Sequence, residues 1–236
     1  MPPSTPLLRP DRFFAERDTA AGRILLVFCL LVFSLPLGIW GVGQVLKLRI
    51  DGTVLVENPN RPSESFCEGA PASIDVGCDA PAQIEQNIDT VLSEVIGQLI
   101  GPALLGTFIV IVVVGGLLHV GSWVLGGENG AAATFAVALW GLVPSVVSLL
   151  VGLGLLFVLV DPMTVTPASD PAVVTAQLQT DLTPLQRWSP LITGITTLWS
   201  AIIWRFGLQH KRGLSSSAAT GVAGSVAVLL WIGSFV

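Results

Sequence analysis

Five long apolar segments, separated by short polar stretches, dominate the pattern of hydrophobic and polar positions along the chain. Each has about the 17–25 residues that an α-helix needs to cross the hydrocarbon core of a bilayer. The third is longer and is expected to tilt or to begin at the interface. The pattern predicts an all-α membrane protein with spans at residues 24–46, about 100–124, about 131–160, about 191–208 and about 218–236.

Composition agrees with this pattern, since only 11% of the 236 residues are charged and 52% are hydrophobic. A soluble domain has about a quarter of its residues charged. The first apolar segment is longer than the core of a signal peptide, which has about 7–15 residues, and no small-residue cleavage pattern follows it. We therefore expect it to be a retained anchor.

The basic residues favour a cytoplasmic N-terminus and an outer C-terminus in a multi-pass protein of the plasma membrane. Seven of the eleven lysines and arginines then lie in cytoplasmic segments, as the positive-inside rule requires, and twelve of the sixteen acids lie outside. This arrangement predicts a cytoplasmic segment 1–23, an outer domain 47–99, and a four-span bundle 100–236 with an outer loop 161–187. An acidic outer surface fits either a high-salt habitat or an ordinary non-cytoplasmic loop.

The outer domain is predicted to contain a short β-hairpin followed by an amphipathic helix. Asp51 and Gly52 lie between two β-prone runs, which is a strong hairpin signal. Apolar residues then recur at helical spacing from Ile84 to Leu99, and Asp79 with Pro81 form a plausible helix start. The acidic polar face of this helix favours packing on the spans or on a partner over binding to anionic lipid.

The three cysteines have different expected roles. Cys67 and Cys78 lie in the same outer segment, where an oxidising compartment favours a disulfide. The alternatives are two free thiols or half of a metal site. Cys29 lies in the middle of the first span and is expected to pack as a small apolar residue.

The second outer loop offers two helix starts, at Asp170-Pro171 and at Thr183-Pro184. We expect a short surface helix over about residues 172–180, followed by the fourth span. Trp188 is expected to anchor that span at the membrane interface.

A glycine-rich turn joins the second and third spans on the predicted cytoplasmic side. Its residues are Gly126, Gly127, Glu128 and Asn129. The glycines permit a tight reversal, because they accept positive φ without a Cβ clash. Within the spans, kinks are predicted at Pro36, Pro102 and Pro144. A nearby hydroxyl can satisfy a carbonyl that a proline leaves free, and Ser145 and Ser148 are candidates beside Pro144.

The stretch "GGENGAAATFAVALWGLVP" resembles a pattern of the Yip (Ypt-interacting protein) domain family, in particular its prokaryotic or archaeal branch. In that pattern a Gly-Gly turn is followed by a Ser/Thr-Phe pair and by an aromatic residue and a glycine ahead of a span proline. "IGP" at residues 100–102 and "LWSAIIWRFGLQHKRGLSSSAA" at residues 198–219 are similar to further parts of it. The resemblance covers residues 92–236. The matching residues of the first stretch are Gly126, Gly127, Thr134, Phe135, Trp140, Gly141 and Pro144.

This resemblance implies an integral membrane protein with five spans and a cytoplasmic N-terminus. The N-terminal segment is too short to match the region through which eukaryotic members are thought to engage Rab-type GTPases, so that partner is not carried over.

Residues that carry chemistry are sparse. His119, His210 and Glu128 form the one candidate group for a metal or proton site in the sequence, although isolated histidines more often have a packing role. No acid lies deep within a predicted span, which argues against a coupled pump. We expect no enzyme activity, no cofactor and no nucleic-acid partner.

The spans contain small residues at spacings that allow close helix packing, either within the chain or against another chain. Small residues permit this because they let helix backbones approach. A basic cluster near the cytoplasmic face is expected to contact anionic lipid. The packing residues are Gly97, Gly101, Ser148, Gly152, Ser217, Gly221 and Ser225, and the basic cluster is Arg205, His210, Lys211 and Arg212.

The leading hypothesis is a protein that contacts the lipid bilayer and organises membrane or recruits other membrane proteins, as a homo-oligomer or in a hetero-complex. An accessory subunit of a larger membrane complex, docking through the acidic outer domain, is one alternative. A passive transporter or channel is the other, since glycines and prolines are common in the broken helices that line such pathways.

Overall fold

Five long helices, all apolar enough to cross a membrane, form the bulk of the computed structural model, which describes residues 5–16, 20–69, 77–128 and 130–234. The five-span all-α architecture predicted from the apolar pattern is confirmed. In chain order the helices are α1 (Pro10–Glu16), α2 (Ala21–Arg49), α3 (Glu64–Gly69), α4 (Ile88–Val124), α5 (Ala131–Leu159), α6 (Pro171–Arg212) and α7 (Ser216–Gly233), and the strands are β1 (Ile50–Glu57), β2 (Gln83–Asn87) and β3 (Met163–Val165).

Helix α5 lies at the centre of the bundle and packs against α2, α4 and α6, while α7 packs on α6 and α4. One buried cluster joins α4, α5, α6 and α7 around Trp204. A second cluster, around Leu31 and Ile111, joins α2, α4 and α5. Large side chains such as Leu105, Val113 and Leu150 are exposed on the outside of the bundle. Lipid is the solvent that suits such a surface.

Several helices approach each other closely where one of them presents a glycine. A Cβ at Gly141 of α5 would overlap the Trp204 ring of α6, and a Cβ at Gly207 of α6 would overlap Val137 of α5. In lipid there is no hydrophobic drive between helices, so this close approach supplies the dispersion contacts that hold them together.

The N-terminal segment folds back onto the bundle. Phe13 and Phe14 of α1 are buried. The Phe13 ring meets Trp140 edge-on, with ring centroids 5.3 Å apart. The indole Nε1 of Trp199 donates a hydrogen bond to the carbonyl of Leu7 at 2.9 Å. The apolar pattern did not indicate this docking, because the segment is too short and too charged to read as a span.

A three-stranded sheet lies at the predicted outer end of the bundle and draws strands from both outer loops. Strand β1 is central, pairing antiparallel with β2 and parallel with β3. The predicted hairpin turn at Asp51-Gly52 is wrong, because both residues lie inside β1. Gly52 has a φ of +123°, and a Cβ there would overlap the carbonyl of Val165. Glycine is needed at this position for the close approach of β3 and not for a turn.

The predicted helix start at Asp79 and Pro81 is also wrong. Residues Gln83–Asn87 form β2, whose alternate positions are partly buried against β1. Asn87 caps α4 instead, its side chain accepting a hydrogen bond from the amide of Asp89 at 2.8 Å. Pairing with a distant strand overrode the local helical spacing. The predicted amphipathic helix is the outer extension of the second span, because α4 is continuous over 37 residues.

In the second outer loop, the helix start at Asp170-Pro171 is confirmed. The Asp170 side chain accepts a hydrogen bond from the amide of Ala172 at 2.9 Å. The second start, at Thr183-Pro184, is wrong, since Pro184 and Pro190 both lie inside α6. The surface helix and the fourth span are therefore one helix of 42 residues. Leucines of its outer part and leucines of α5 line the same cavity.

Cys29 does not pack inside the bundle, as its sequence position suggested. It is a free thiol exposed on the outer face of α2. The apolar pattern alone did not show which face of this first span turns inward.

Substituting Gly141 by alanine should destabilise the bundle by about 1–3 kcal/mol, because the new methyl group overlaps the buried Trp204 ring. Thermal unfolding in mild detergent, followed by size-exclusion chromatography, measures this loss. Gly152→Ala is the matched control on the same helix, where a Cβ meets no atom of the described chain within 4 Å. Equal stability of the two variants would contradict the role given to Gly141.

Candidate functional site

The glycine-rich turn between α4 and α5 is the most constrained polar feature of the bundle. Gly126 has a φ of +83°, a conformation that glycine adopts without strain. The amide of Gly127 donates to the carbonyl of Ser122 at 2.8 Å, which closes the end of α4. Gly126, Gly127 and Glu128 lie in the turn that follows α4, and Asn129 lies outside the described residues.

The side chain of Arg212, at the end of α6, is inserted beneath this turn and is only 1% exposed. Its Nε donates a hydrogen bond to the Ser122 hydroxyl at 3.1 Å. The amide of Glu128 in turn donates to the Arg212 carbonyl at 3.1 Å. A Cβ on Gly127 would lie 2.9 Å from the Ser122 carbonyl oxygen and 3.0 Å from Nε of Arg212, so glycine also provides space here. The turn thus joins the ends of α4 and α6.

Arg212 is consequently not available to lipid, and the expectation of a lipid contact is wrong for this member of the basic cluster. Other members of the basic cluster are more accessible than Arg212. Arg205 is partly exposed and His210 is exposed. The guanidinium of Arg205 donates to the Ser216 hydroxyl at 2.9 Å and lies over the Phe206 ring. Lys211 is partly exposed. Lipid contact by Arg205, His210 and Lys211 stays a prediction.

His119 lies near this turn, and its contacts are with other residues of the bundle. Its Nδ1 lies 3.4 Å from the hydroxyl of Thr134, which is fully buried. Its carbonyl accepts a hydrogen bond from the Ser122 hydroxyl at 2.9 Å. Across the described residues, no three histidine, cysteine or carboxylate side chains converge as metal ligands, and His119, His210 and Glu128 do not form such a group.

Four of the residues that carry the resemblance in α5, Thr134, Phe135, Trp140 and Gly141, contact neighbouring helices. The Phe135 ring covers Gly115 of α4, and Gly141 receives the Trp204 ring of α6. Trp140 meets Phe13 of α1. The motif therefore encodes the contacts of the central helix with three of its neighbours.

The predicted kink residues lie inside helices, Pro36 in α2, Pro102 in α4 and Pro144 in α5. The kinks themselves stay predictions. Near Pro144, the Ser145 hydroxyl donates to the Leu142 carbonyl at 2.6 Å. It does not reach the carbonyl four residues before the proline, which the proline leaves free. Ser148 makes no hydrogen bond to a described residue through its hydroxyl.

The four glycines predicted to pack helices do not meet a neighbouring helix within the described chain, and packing against another chain stays a prediction. A Cβ at Gly97, Gly101, Gly152 or Gly221 would meet no atom of the described chain within 4 Å. Ser217 and Ser225 are exposed on the same side of α7 as Gly221. The glycines that do bring helices together, such as Gly115, Gly141 and Gly207, were not among the predicted packing residues, although Gly141 belongs to the family pattern. Local spacing identifies small residues but does not show which of them meets a neighbour.

The outer domain is closed by a disulfide between Cys67 and Cys78, with a Cα–Cα distance of 5.6 Å. The predicted pairing is confirmed, and the alternatives of free thiols or half of a metal site are wrong. A hydrogen bond adds a second cross-link to this domain, since the side-chain amide of Asn58 donates to the Pro81 carbonyl at 3.0 Å. The segment after the disulfide is thereby positioned to enter β2.

Ser122→Ala should destabilise the protein by about 1–3 kcal/mol, because it leaves the buried guanidinium of Arg212 without the acceptor for its Nε. Thermal unfolding in detergent measures the loss. Ser34→Ala is the control, since the Ser34 hydroxyl bonds only the Leu31 carbonyl of its own helix. If both variants have the same unfolding temperature as the parent protein, the hydrogen bond from Arg212 to Ser122 does not contribute to stability.

Comparison with known families agrees with this geometry. A model of the Yip1 domain matches residues 6–236, so the match extends from the region of the resemblance to the first span and the outer domain. No curated protein and no solved structure matches the chain significantly. Yip1 family proteins are multi-pass membrane proteins and are generally not enzymes. With nearly its whole length matched, the chain belongs to the Yip1 domain family.

Proposed function

We propose that this protein is a non-catalytic membrane component that recruits other membrane proteins and so organises the membrane around them. The observation that carries the proposal is a small-residue face on α7, formed by Ser217, Gly221 and Ser225. All three residues are exposed. The opposite side of α7, with Ala219, Val222 and Val226, is buried against α6 and α4.

A helix face of this kind suits another helix better than it suits lipid. Small side chains let two backbones come close, and the resulting dispersion contacts and interhelical hydrogen bonds drive association in a bilayer. The hydroxyl of Ser225 already bonds the carbonyl of Gly221 at 2.9 Å, so it can face an apolar partner without an unsatisfied donor. Gly97 and Gly101 on α4 form a second pair of the same type.

A role as accessory subunit of a larger complex is the second candidate, supported by the acidity of the outer domain. The carboxylates of Asp51, Glu57, Glu85 and Asp89 are exposed on β1, β2 and the start of α4. Such a surface favours a partner with basic side chains, by raising the rate of encounter and the specificity.

The orientation that we propose is a cytoplasmic N-terminus and an outer C-terminus in the plasma membrane, supported by the distribution of lysine and arginine. In intact cells, a membrane-impermeant thiol reagent should label Cys67 and Cys78 only after reduction, because the disulfide blocks both thiols until then. Cys29→Ser removes the remaining thiol as background. If reduction exposes no thiol to the reagent, the outer domain is on the cytoplasmic side, and the orientation is reversed.

Recruitment through α7 predicts that cross-linking in native membranes, followed by purification in mild detergent, recovers a second copy or another membrane protein. Gly221→Leu should lower this recovery roughly ten-fold, because a bulky side chain prevents close backbone approach. Val113→Leu is the control, since Val113 is exposed on α4 among large side chains. A protein that stays monomeric and traps no neighbour would rule out the proposed function.

A further inference from the structure

A polar cavity lies in the outer domain, between the end of the β1–β2 ladder and the segment that enters α3. Its volume is about 540 Å³, which falls within the roughly 300–1,000 Å³ of small-molecule sites. Most of the residues that line it are polar or charged. Those that determine its chemistry are Glu57, Asn58, Arg61, Pro62, Glu64 and Gln83.

The walls of this cavity are fixed by the fold of the outer domain. Glu57 and Gln83 are partners in the register of β1 and β2. The amide of Asn58 donates to the Ala82 carbonyl at 3.0 Å, and the amide of Arg61 donates to the Asn58 carbonyl at 3.1 Å. The disulfide links α3 to the segment that leads into β2. The cavity is therefore formed before a ligand binds, as is usual for small-molecule sites.

Three charged side chains line the cavity without pairing with one another. Glu57 and Glu64 are exposed, and Arg61 is partly exposed. None of the three makes an ion pair or a side-chain hydrogen bond with another described residue. The walls thus hold the guanidinium apart from both carboxylates, and the cavity offers one cationic and two anionic groups to a ligand.

This set of charges restricts the chemistry of the ligand. A guanidinium binds a carboxylate through two parallel hydrogen bonds, and a carboxylate accepts charge-assisted hydrogen bonds from an ammonium group. The lining has a net charge of −1, from one arginine and two glutamates (+1 − 2). Its complement is a molecule with one carboxylate and two cationic groups. Pro62 and Ala82 add apolar contacts that suit a short methylene chain.

We propose that this cavity binds a dibasic amino acid of the lysine class. The α-carboxylate of the ligand bonds Arg61, its two ammonium groups bond Glu57 and Glu64, and its methylene chain lies on Pro62. The site does not involve α7, so it is independent of the proposed recruitment through that helix. Glu57 also belongs to the acidic surface suggested to dock a basic partner, and one arm of the test separates the two roles.

The test is equilibrium dialysis of the full-length protein, in lipid nanodiscs and with its disulfide intact, against radiolabelled L-lysine. Saturable binding is expected, and salt should weaken it because the contacts are ionic and open to solvent. Cadaverine is lysine without the carboxylate, and norleucine is lysine without the side-chain ammonium. Each should compete at least roughly ten-fold more weakly than unlabelled lysine, because each lacks one charged contact.

Arg61→Gln should weaken lysine binding roughly ten-fold without weakening cadaverine, because only lysine has a carboxylate that loses its partner. Glu57→Gln should weaken the binding of both molecules. Glu85→Gln is the matched control, since Glu85 is exposed on β2 but does not line the cavity. It changes the net charge equally and should alter lysine affinity less than about two-fold. An unchanged elution volume and an intact disulfide show that each variant is folded.

The absence of saturable lysine binding, equal affinity for cadaverine, or an unaffected Arg61→Gln variant would each overturn the proposal. A lysine-rich peptide with an amidated C-terminus covers the remaining possibility. If this peptide binds, loses affinity in Glu57→Gln, and free lysine does not bind, the cavity belongs to the docking surface for a basic protein partner instead.

Discussion

Close contact between helices at glycine is the interaction on which the rest of this structure depends. Lipid offers no hydrophobic drive between spans, so the bundle has to gain its stability from dispersion contacts and a few hydrogen bonds. The meeting of Gly141 with Trp204 supplies both, because the ring packs on the bare backbone and its Nε1 bonds the Ala138 carbonyl at 3.3 Å. It joins α5 to α6, the helix pair around which α1, α4 and α7 assemble.

The same principle explains why the family motif takes the form that it does. Its glycines fall into two kinds, those that reverse the chain with positive φ and those that admit a bulky neighbour. Gly127 belongs to the second kind, since it makes room for the buried Arg212 guanidinium. The turn is thereby a joint between the ends of α4 and α6, and the motif describes one packed unit of the bundle.

Surfaces that the chain does not use internally indicate where function resides. The small-residue face of α7 is suited to packing against another helix. It is reached from within the bilayer. The disulfide-closed sheet, in contrast, is polar and acidic and lies at one end of the bundle.

The sequence by itself determined the number of spans, the disulfide of Cys67 with Cys78, the cap at Asp170 and the family, because each depends on apolar length, residue type or local spacing. Only the tertiary structure decided that residues 83–87 form a strand, that Asp51 and Gly52 lie inside β1, and that α6 continues through two prolines. It also decided which glycines meet a neighbour, that α1 docks on the bundle, and that Arg212 is buried. The physical reason is that these features arise from contacts between residues far apart in the chain, which can override local preference and leave no periodic signal in it.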